Sequence, residues 1–445
     1  MSSQSQSQFL EKLRLASATQ QARVIAQGEV TSSMLMAAEA AVVEQHNPQL
    51  NAFVVQAQRS APPATTTPSP LFGTSFAVKD NFDVSGTPTQ CGLRVMDTTP
   101  AQYDATVIAR LRQAGMVYSG KLNMSPMALG SSTHNSDFGH CYNPLRTGFS
   151  AGGSSGGSAS AVAAGLVGIA LGTDTMGSVR LPAAFCGIVG FKPGWGRLPA
   201  DGVVPLSRML DHVGVLSRSV EDAIHAYTLL RGESTQTAIT ATQPLNCSSM
   251  RVGIVSDTTA LELDEDVTAA YVRACQQLHS AGYTLIPVDA SNLHLSAVRR
   301  SGLVICEAEL LHTLAGIYPE CREGIPPELL SMLDYISGQP AESVGRALSR
   351  LAQAKERYAA LFDEIAVLAL PTCGHTAFSM DDPVPVNSAD LTVIANVLGA
   401  PAISLPLPPE HGGLPAALQL IGYDQQDVDL LRLAAEIETV IGATF

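Results

Sequence analysis

The sequence predicts an α/β fold, in which helices cover a β-sheet, because helical and strand patterns alternate along the chain. In residues 104–124 a helical pattern ends at Gly115 and an apolar strand pattern follows. Residues 266–289 and 357–372 show the same order of helix and then strand. Apolar residues make up 46% of the chain and charged residues 15%. The charged share lies below the typical value of about 25%, so we expect a large core.

Three further segments have patterns of their own. Residues 8–46 predict helices, with Thr31 as the N-cap of the later one. Residues 71–84 predict a short buried strand that is followed by a turn. Residues 232–249 are polar and carry no charge apart from Glu233, which is typical of a linker between two parts of a fold.

The overall charge and the apolar segments exclude several classes of function. The formal net charge is −14 and the pI is about 5.1, which disfavours nucleic acid or an anionic membrane as a partner. The longest apolar stretch, residues 161–172, is too short to span a bilayer. The first twenty residues lack the apolar segment of a secretory signal. The eight cysteines form no C-x-x-C motif, so we expect a cytoplasmic protein in a reducing compartment, without a metal site.

Residues 150–165, SAGGSSGGSASAVAAG, have a composition found in flexible linkers, phosphate-binding loops and some catalytic sites. A flexible linker stays polar, whereas this sequence becomes steadily more apolar toward Gly172. A phosphate-binding loop closes its glycine run with a lysine and a serine or threonine, but Gly157 is followed by Ser158 and Ala159. A dinucleotide fingerprint spaces its glycines differently. The segment therefore favours a catalytic role, and we expect no nucleotide cofactor.

Serines in this segment and in a second small-residue turn are candidate nucleophiles. Ser154 and Ser155 lie where a loop opens a helix, and Ser178 follows 24 positions after Ser154. A serine hydroxyl needs a neighbouring base, which is usually a histidine. The nearby histidines do not stand in a sequence context that marks them as partners of serine; they are His134, His140 and His212.

A buried lysine is the alternative base. The chain has only five lysines, and Lys79 lies at the end of the apolar run FGTSFAVKD, where a lysine is costly unless it has a partner. Burial lowers the pKa of an amine, because it disfavours the charged form. A neutral amine at this position accepts a proton from one serine, which relays it from a second serine.

Four quoted motifs resemble the amidase signature family: GGSSGGSASAVAAG, GTDTMGSVRLPAAFCGIVGFKPGWGRL, LDHVGVLSRSVED and FAVKDNFDV. A serine pair followed 24 residues later by the serine of a D-x-x-G-S turn makes the resemblance specific. It extends from about residue 8 to the end of the chain. It implies an α/β/α sandwich around a large mixed β-sheet and one domain over residues 1–445. Within that domain it implies an N-terminal helical region at about 8–46 and a catalytic core at about 71–222.

The same resemblance implies a Ser–cisSer–Lys triad. Ser178 is expected to attack the amide carbonyl and form an acyl-enzyme. Ser154 is expected to bridge to the base, held by a cis peptide bond to Gly153 or Ser155. Lys79 is expected to act as the final base and then as the acid for the leaving amine. Backbone N–H groups form the implied oxyanion hole and two residues the implied substrate contacts: the hole comprises Thr175, Met176, Gly177 and Ser178, and the contacts are Ser131 and Met176.

Met176 departs from the family pattern, which most often has glycine at this position of the turn. Its side chain is expected to narrow the acyl pocket and restrict the enzyme to slim acyl groups. The resemblance implies an amidase for a small carboxamide or ureide that uses no metal and no cofactor. Two alternatives stay open: a glutaminase subunit of an amidotransferase, and a carboxybiuret-type hydrolase of urea derivatives that works with a small partner protein.

The resemblance also bears on partners. The expected partner is a small-molecule amide, without nucleic acid or membrane, and both a homodimer and a small protein partner stay open. A non-catalytic scaffold that kept only the fold would have lost Lys79, Ser154 or Ser178, and all three are present.

Overall fold

Eleven strands of the described residues form one sheet in the computed structural model. The structure describes residues 3–59, 62, 69–234, 237, 242, 250–318, 320–409, 412–423 and 426–443. The strands are β1 Phe53–Gln56, β2 Ser75–Lys79, β3 Val117–Leu122, β4 Ile169–Asp174, β5 Val189–Lys192, β6 His212–Ser217, β7 Arg251–Ile254, β8 Thr284–Pro287, β9 Val367–Pro371, β10 Ala402–Leu407 and β11 Ala416–Ile421.

The order of the strands is β1-β3-β2-β4-β6-β5-β10-β11-β9-β7-β8. The pairs β3–β2, β2–β4, β9–β7 and β7–β8 are parallel, and the other neighbouring pairs are antiparallel. The large mixed sheet is thereby confirmed. Its parallel part places the carboxyl ends of β2 and β4 at the same edge, where ligands commonly bind in α/β folds.

Helices pack on both faces of the sheet. In β2, Phe76 and Val78 belong to one buried apolar cluster, whereas Ala77 between them belongs to another. Because successive side chains of a strand point to opposite faces, each face has its own core. The predicted α/β sandwich is therefore confirmed. The helices of the described residues are α1 Ser3–Leu15, α2 Ala18–Ala26, α3 Ser32–Leu50, α4 Thr106–Gln113, α5 Gly156–Ala163, α6 Arg180–Cys186, α7 Val220–Leu230, α8 Glu265–Ser280, α9 Leu295–Thr313, α10 Pro327–Ser337, α11 Ala341–Ala359, α12 Val393–Leu398 and α13 Asp427–Val440.

The local predictions fare as follows. The segments predicted as helix and then strand contain α4 and β3, α8 and β8, and the end of α11 with β9. Thr31 is the N-cap of α3, and its side chain accepts a hydrogen bond from the Met34 N–H at 3.2 Å. The predicted linker 232–249 lies largely outside the described residues, and the single domain stays a prediction. Within the ranges given above, no helix combines the length and the apolar character that crossing a membrane requires.

Helix α5 of the glycine- and serine-rich segment packs directly on the sheet. The Ser158 hydroxyl donates a hydrogen bond to the Leu171 carbonyl of β4 at 3.0 Å. A Cβ atom at Gly157 would lie 2.5 Å from the backbone N and O atoms of Asn123. Only glycine therefore allows the first turn of α5 to come this close to the chain after β3. This contact fixes the height of the loop that precedes α5 above the sheet edge.

We predict that Gly157→Ala lowers the free energy of unfolding by about 2 kcal/mol, because the new methyl group meets backbone atoms that cannot rotate away. Chemical denaturation of the full chain measures this change. The matched control is Gly345→Ala in the exposed middle of α11, where a Cβ meets nothing within 4 Å. That control raises stability by about 0.5–1 kcal/mol, as alanine does for glycine within helices. Equal stability of Gly157→Ala and the wild-type protein would contradict the packing argument.

Candidate active site

The site lies at the sheet edge where β2 and β4 end. Lys79 is the last residue of β2, and Asp174 is the last residue of β4. The two strands are parallel neighbours, so the chain leaves both of them at the same edge. The loop before α5 brings Ser154 to this edge, and the turn after β4 brings Ser178. The structure therefore brings together regions that lie up to 99 residues apart along the chain, counted from Lys79 to Ser178.

Lys79 is completely buried, and its amine contacts two hydroxyl groups. Nζ donates to Ser154 Oγ at 2.8 Å and to Thr173 Oγ1 at 2.9 Å. Burial lowers the pKa of Lys79 to about 7, although the negative charges of Asp211 and Asp174 act in the opposite direction. Near neutral pH the amine is therefore shared between its charged and neutral forms.

Ser154 points its hydroxyl toward Lys79 and does not cap the helix that follows. The N-cap of α5 is Ser155, and its side chain makes no capping hydrogen bond. The Ser155 hydroxyl donates instead to the Thr173 carbonyl at 3.3 Å. The peptide bond between Gly153 and Ser154 is cis, at one of the two positions that the family resemblance implies.

A buried ion pair holds the turn that carries Ser178. Arg180 donates to both carboxylate oxygens of Asp174, at 2.8 and 2.9 Å. Asn396 Nδ2 donates to the same carboxylate at 2.9 Å. Burial alone would raise the pKa of Asp174, but the Arg180 guanidinium holds it well below its usual range. Asp174 thus stays charged, and it fixes the turn from within.

Backbone N–H groups of the turn divide into two kinds. The Gly177 N–H donates to Asp174 Oδ1 at 2.8 Å, so this predicted donor of the oxyanion hole already has a partner. Among the described residues, the N–H groups of Thr175, Met176 and Ser178 have no recorded acceptor. These three groups are available to a bound oxygen atom.

Ser178 lies between the buried base and an open cavity. It lines the cavity and is 8% exposed, whereas Lys79 and Ser154 lie behind it and are not part of the lining. Ser155 N–H donates to the Ser178 carbonyl at 3.2 Å and joins the two loops. In the described part of the chain, no hydrogen bond links the hydroxyls of Ser154 and Ser178.

The cavity has a volume of about 610 Å³. Both predicted substrate contacts, Ser131 and Met176, are part of its wall, together with Thr175 of the predicted oxyanion hole. His134 and His140 also line it, with their rings 5.1 Å apart. Most of the wall is apolar; these residues are Pro126, Ala128, Leu129, Leu181, Leu206, Leu303, Pro326, Leu329, Met332, Pro383, Val384, Pro385, Val386 and Ala389.

Two residues near the base had no assigned role in the sequence analysis. Thr173 contacts the Lys79 amine directly and precedes the D-x-x-G-S turn by one position. Asp211 belongs to the LDHVG stretch, accepts a hydrogen bond from Thr175 Oγ1 at 2.6 Å and is buried. Burial raises the pKa of Asp211 to about 6, although its hydrogen bonds act to lower it. The motif that contains Asp211 was visible in the sequence, but its contact with the turn was not.

His212 is far from the role of a base for serine. Its ring is buried, and Nδ1 lies 2.7 Å from the Leu210 carbonyl. Burial holds the pKa of His212 well below its usual range. The structure thus places the lysine, and not this histidine, beside the serine hydroxyl.

Known proteins resemble this chain over almost its whole length. The Amidase family model matches residues 29–431. A glutamyl-tRNA(Gln) amidotransferase subunit of Anaeromyxobacter sp. (strain K) is 34% identical over 468 residues, which cover 94% of each chain. A solved amidase structure superimposes with a TM-score of 0.85 at 27% identity, covering 96% of this chain and all of the other. The inhibitor-bound complex of an s-triazine catabolic enzyme gives a TM-score of 0.85 at 26% identity, with 96% and 99% covered.

The family match, the mixed sheet and the motifs at its edge agree with one another. The family includes hydrolases and amidotransferase subunits that act on amide C–N bonds. This chain belongs to the amidase signature family.

Proposed function

We propose that this chain hydrolyses the C–N bond of a small carboxamide through an acyl-enzyme on Ser178. The observation that carries the proposal is the 2.8 Å contact between Lys79 Nζ and Ser154 Oγ in a fully buried setting. A lysine with a pKa near 7 is matched to general-base catalysis at neutral pH.

The first step forms the acyl-enzyme. Ser178 Oγ attacks the carbonyl carbon, and its proton passes to Ser154 while the Ser154 proton passes to the neutral amine of Lys79. For this transfer the two serine hydroxyls come into hydrogen-bond contact when substrate binds, since catalytic hydrogen bonds often tighten only in the complex. The carbonyl oxygen becomes an oxyanion, which the N–H groups of Thr175, Met176 and Ser178 stabilise.

The second step breaks the C–N bond and regenerates the enzyme. The Lys79 ammonium returns its proton through Ser154 to the leaving nitrogen, which departs as ammonia or an amine. A water molecule then attacks the ester carbonyl on Ser178, and its proton follows the same route to Lys79. The ester bond to Ser178 breaks, and the products are a carboxylic acid and the free enzyme.

The comparisons favour the glutaminase alternative over a free-standing amidase. The curated relative at 34% identity is named as part of a tRNA-dependent amidotransferase, and it is covered over 94% of its length. This supports glutamine as the amide donor and a protein partner as the acceptor of ammonia. The s-triazine enzyme was solved as part of a protein complex, which also supports a small protein partner. The described cysteines are free, in keeping with the proposed cytoplasmic location.

We predict that the purified chain releases ammonia from a carboxamide and that hydroxylamine intercepts the acyl group as a hydroxamate. Ser178→Ala should lower kcat by about 10³-fold or more, because no acyl-enzyme forms. Ser349→Ala, at an exposed position of α11, is the matched control and should leave the rate unchanged.

The assay compares glutamine with simple carboxamides and ureides. Cleavage of simple amides by the chain alone supports the amidase, whereas cleavage of glutamine only after a partner is added supports the amidotransferase role. Wild-type rates in Ser178→Ala would overturn both candidates.

We predict that kcat/KM rises with pH through about 7, because a protonated Lys79 cannot accept the serine proton. The amine carries a proton below this pKa and loses it above, so activity falls as the pH is lowered. Lys79→Met should remove this limb and reduce activity by about 10²–10⁴-fold. Lys355→Met, exposed on α11, serves as the control. A flat profile from about pH 6 to about pH 9 would contradict the role of Lys79 as the base.

Met176 controls the space on the acyl side of the cavity. Its carbonyl accepts a hydrogen bond from Thr392 Oγ1 at 2.5 Å, which fixes the backbone. Its side chain lies against Gly302 of α9, where an added Cβ would be 2.7 Å from Sδ. The space left by Gly302 therefore decides how far the methionine extends into the cavity.

We predict that Met176→Gly raises kcat/KM for bulky acyl groups relative to slim ones by about tenfold, since it removes the side chain that fills the pocket. Gly302→Ala should have the opposite effect, because it displaces Sδ toward the substrate. Steady-state kinetics with a graded series of amides measures both ratios.

The double variant Met176→Gly/Gly302→Ala provides the control. Without the methionine, the alanine has nothing to displace, so the effect of Gly302→Ala on the ratio should disappear. An equal effect of Gly302→Ala with and without Met176 would show that Gly302 acts in some other way.

A further inference from the structure

Arg299 of α9 is the only lysine or arginine among the described residues that line the cavity. Its side chain is 15% exposed, so the charge lies well inside the wall. The acidic residues of the lining, Glu328 and Asp382, are exposed at the mouth, where solvent screens them. A buried cation in a largely apolar wall requires a specific partner.

One edge of the Arg299 guanidinium already has such a partner. Nε forms a short ion pair with Asp390 Oδ1, and the Ser296 hydroxyl donates to Asp390 Oδ2 at 2.5 Å. Asp390 is itself 8% exposed, so this side of the guanidinium is held firmly. The terminal Nη groups have no recorded acceptor within the described chain. They present two parallel N–H donors, the geometry that matches a carboxylate.

The position of Arg299 relates it to the reacting group. Arg299, Gly302 and Leu303 are spaced as i, i+3 and i+4 and share one face of α9. Leu303 lines the cavity, and Gly302 contacts Met176, two residues before Ser178. The guanidinium therefore lies on the side of the cavity that Met176 borders, which is the acyl side.

We propose that Arg299 binds a carboxylate on the acyl part of the substrate, so that the preferred amides are short and acidic. The inference rests on the proposed amide hydrolysis and adds the substrate class to it. Asp390 cancels the net charge of Arg299, so selectivity comes from the two N–H donors at short range. An uncharged acyl group leaves those donors without a partner inside the wall, and the loss of such hydrogen bonds reduces binding.

The test compares succinamate with isocaproamide, its neutral isostere. We expect the wild-type enzyme to prefer succinamate by about tenfold or more in kcat/KM. Arg299→Met should bring the ratio to about 1, mainly by raising KM for succinamate, since the contact exists before the chemical step. Arg300→Met is the matched control, because Arg300 is exposed on the same helix and is not part of the lining. This control should keep the wild-type ratio.

Arg299→Met leaves Asp390 without its ion-pair partner, so the double variant Arg299→Met/Asp390→Asn is measured beside it. The double variant should lose the preference as well. A wild-type enzyme that cleaves both amides equally, or an arginine variant that keeps the preference, would overturn the role of Arg299 alone. Cleavage of neither amide, together with the absence of a hydroxamate, would overturn the proposed hydrolysis itself.

Discussion

The contact between the Lys79 amine and the Ser154 hydroxyl is the interaction on which the site depends. It works as a base only while the surroundings of Lys79 keep out water, because burial is the cause of its low pKa. Strands β2 and β4 supply that burial from the sheet. The loop before α5 covers the amine from above, and glycine at 157 lets the loop descend far enough.

Charge is treated in opposite ways on the two sides of the nucleophile. Behind the turn, the carboxylate of Asp174 is fully paired with Arg180 and Asn396, and it serves as a rigid support. Arg299 in the cavity wall is paired along one edge only. The same chemistry, an arginine and an aspartate, thus holds the protein together in one place and leaves donors for a ligand in the other.

The sequence predicts the parts of this architecture that are local. Glycine and serine motifs locate the loops, and the apolar run before Lys79 locates a buried strand, because each depends on neighbours in the chain. Arg299 and Gly302 carry no local signal, since α9 resembles many amphipathic helices. Their meaning comes from Asp390 and Met176, which lie 91 and 126 positions away. Asp211 is an intermediate case, since its motif is visible but its contact with Thr175 is not.

The central claim is that Lys79 is neutral in a large fraction of molecules at neutral pH. The chain has only five lysines, so ¹³C labelling at Cε gives few NMR signals, and Lys79→Met assigns the one in question. A titration of the wild-type chain measures its pKa directly, apart from any substrate. The account predicts a midpoint near 7 for Lys79. A midpoint at the ordinary lysine value of about 10.4 would contradict it.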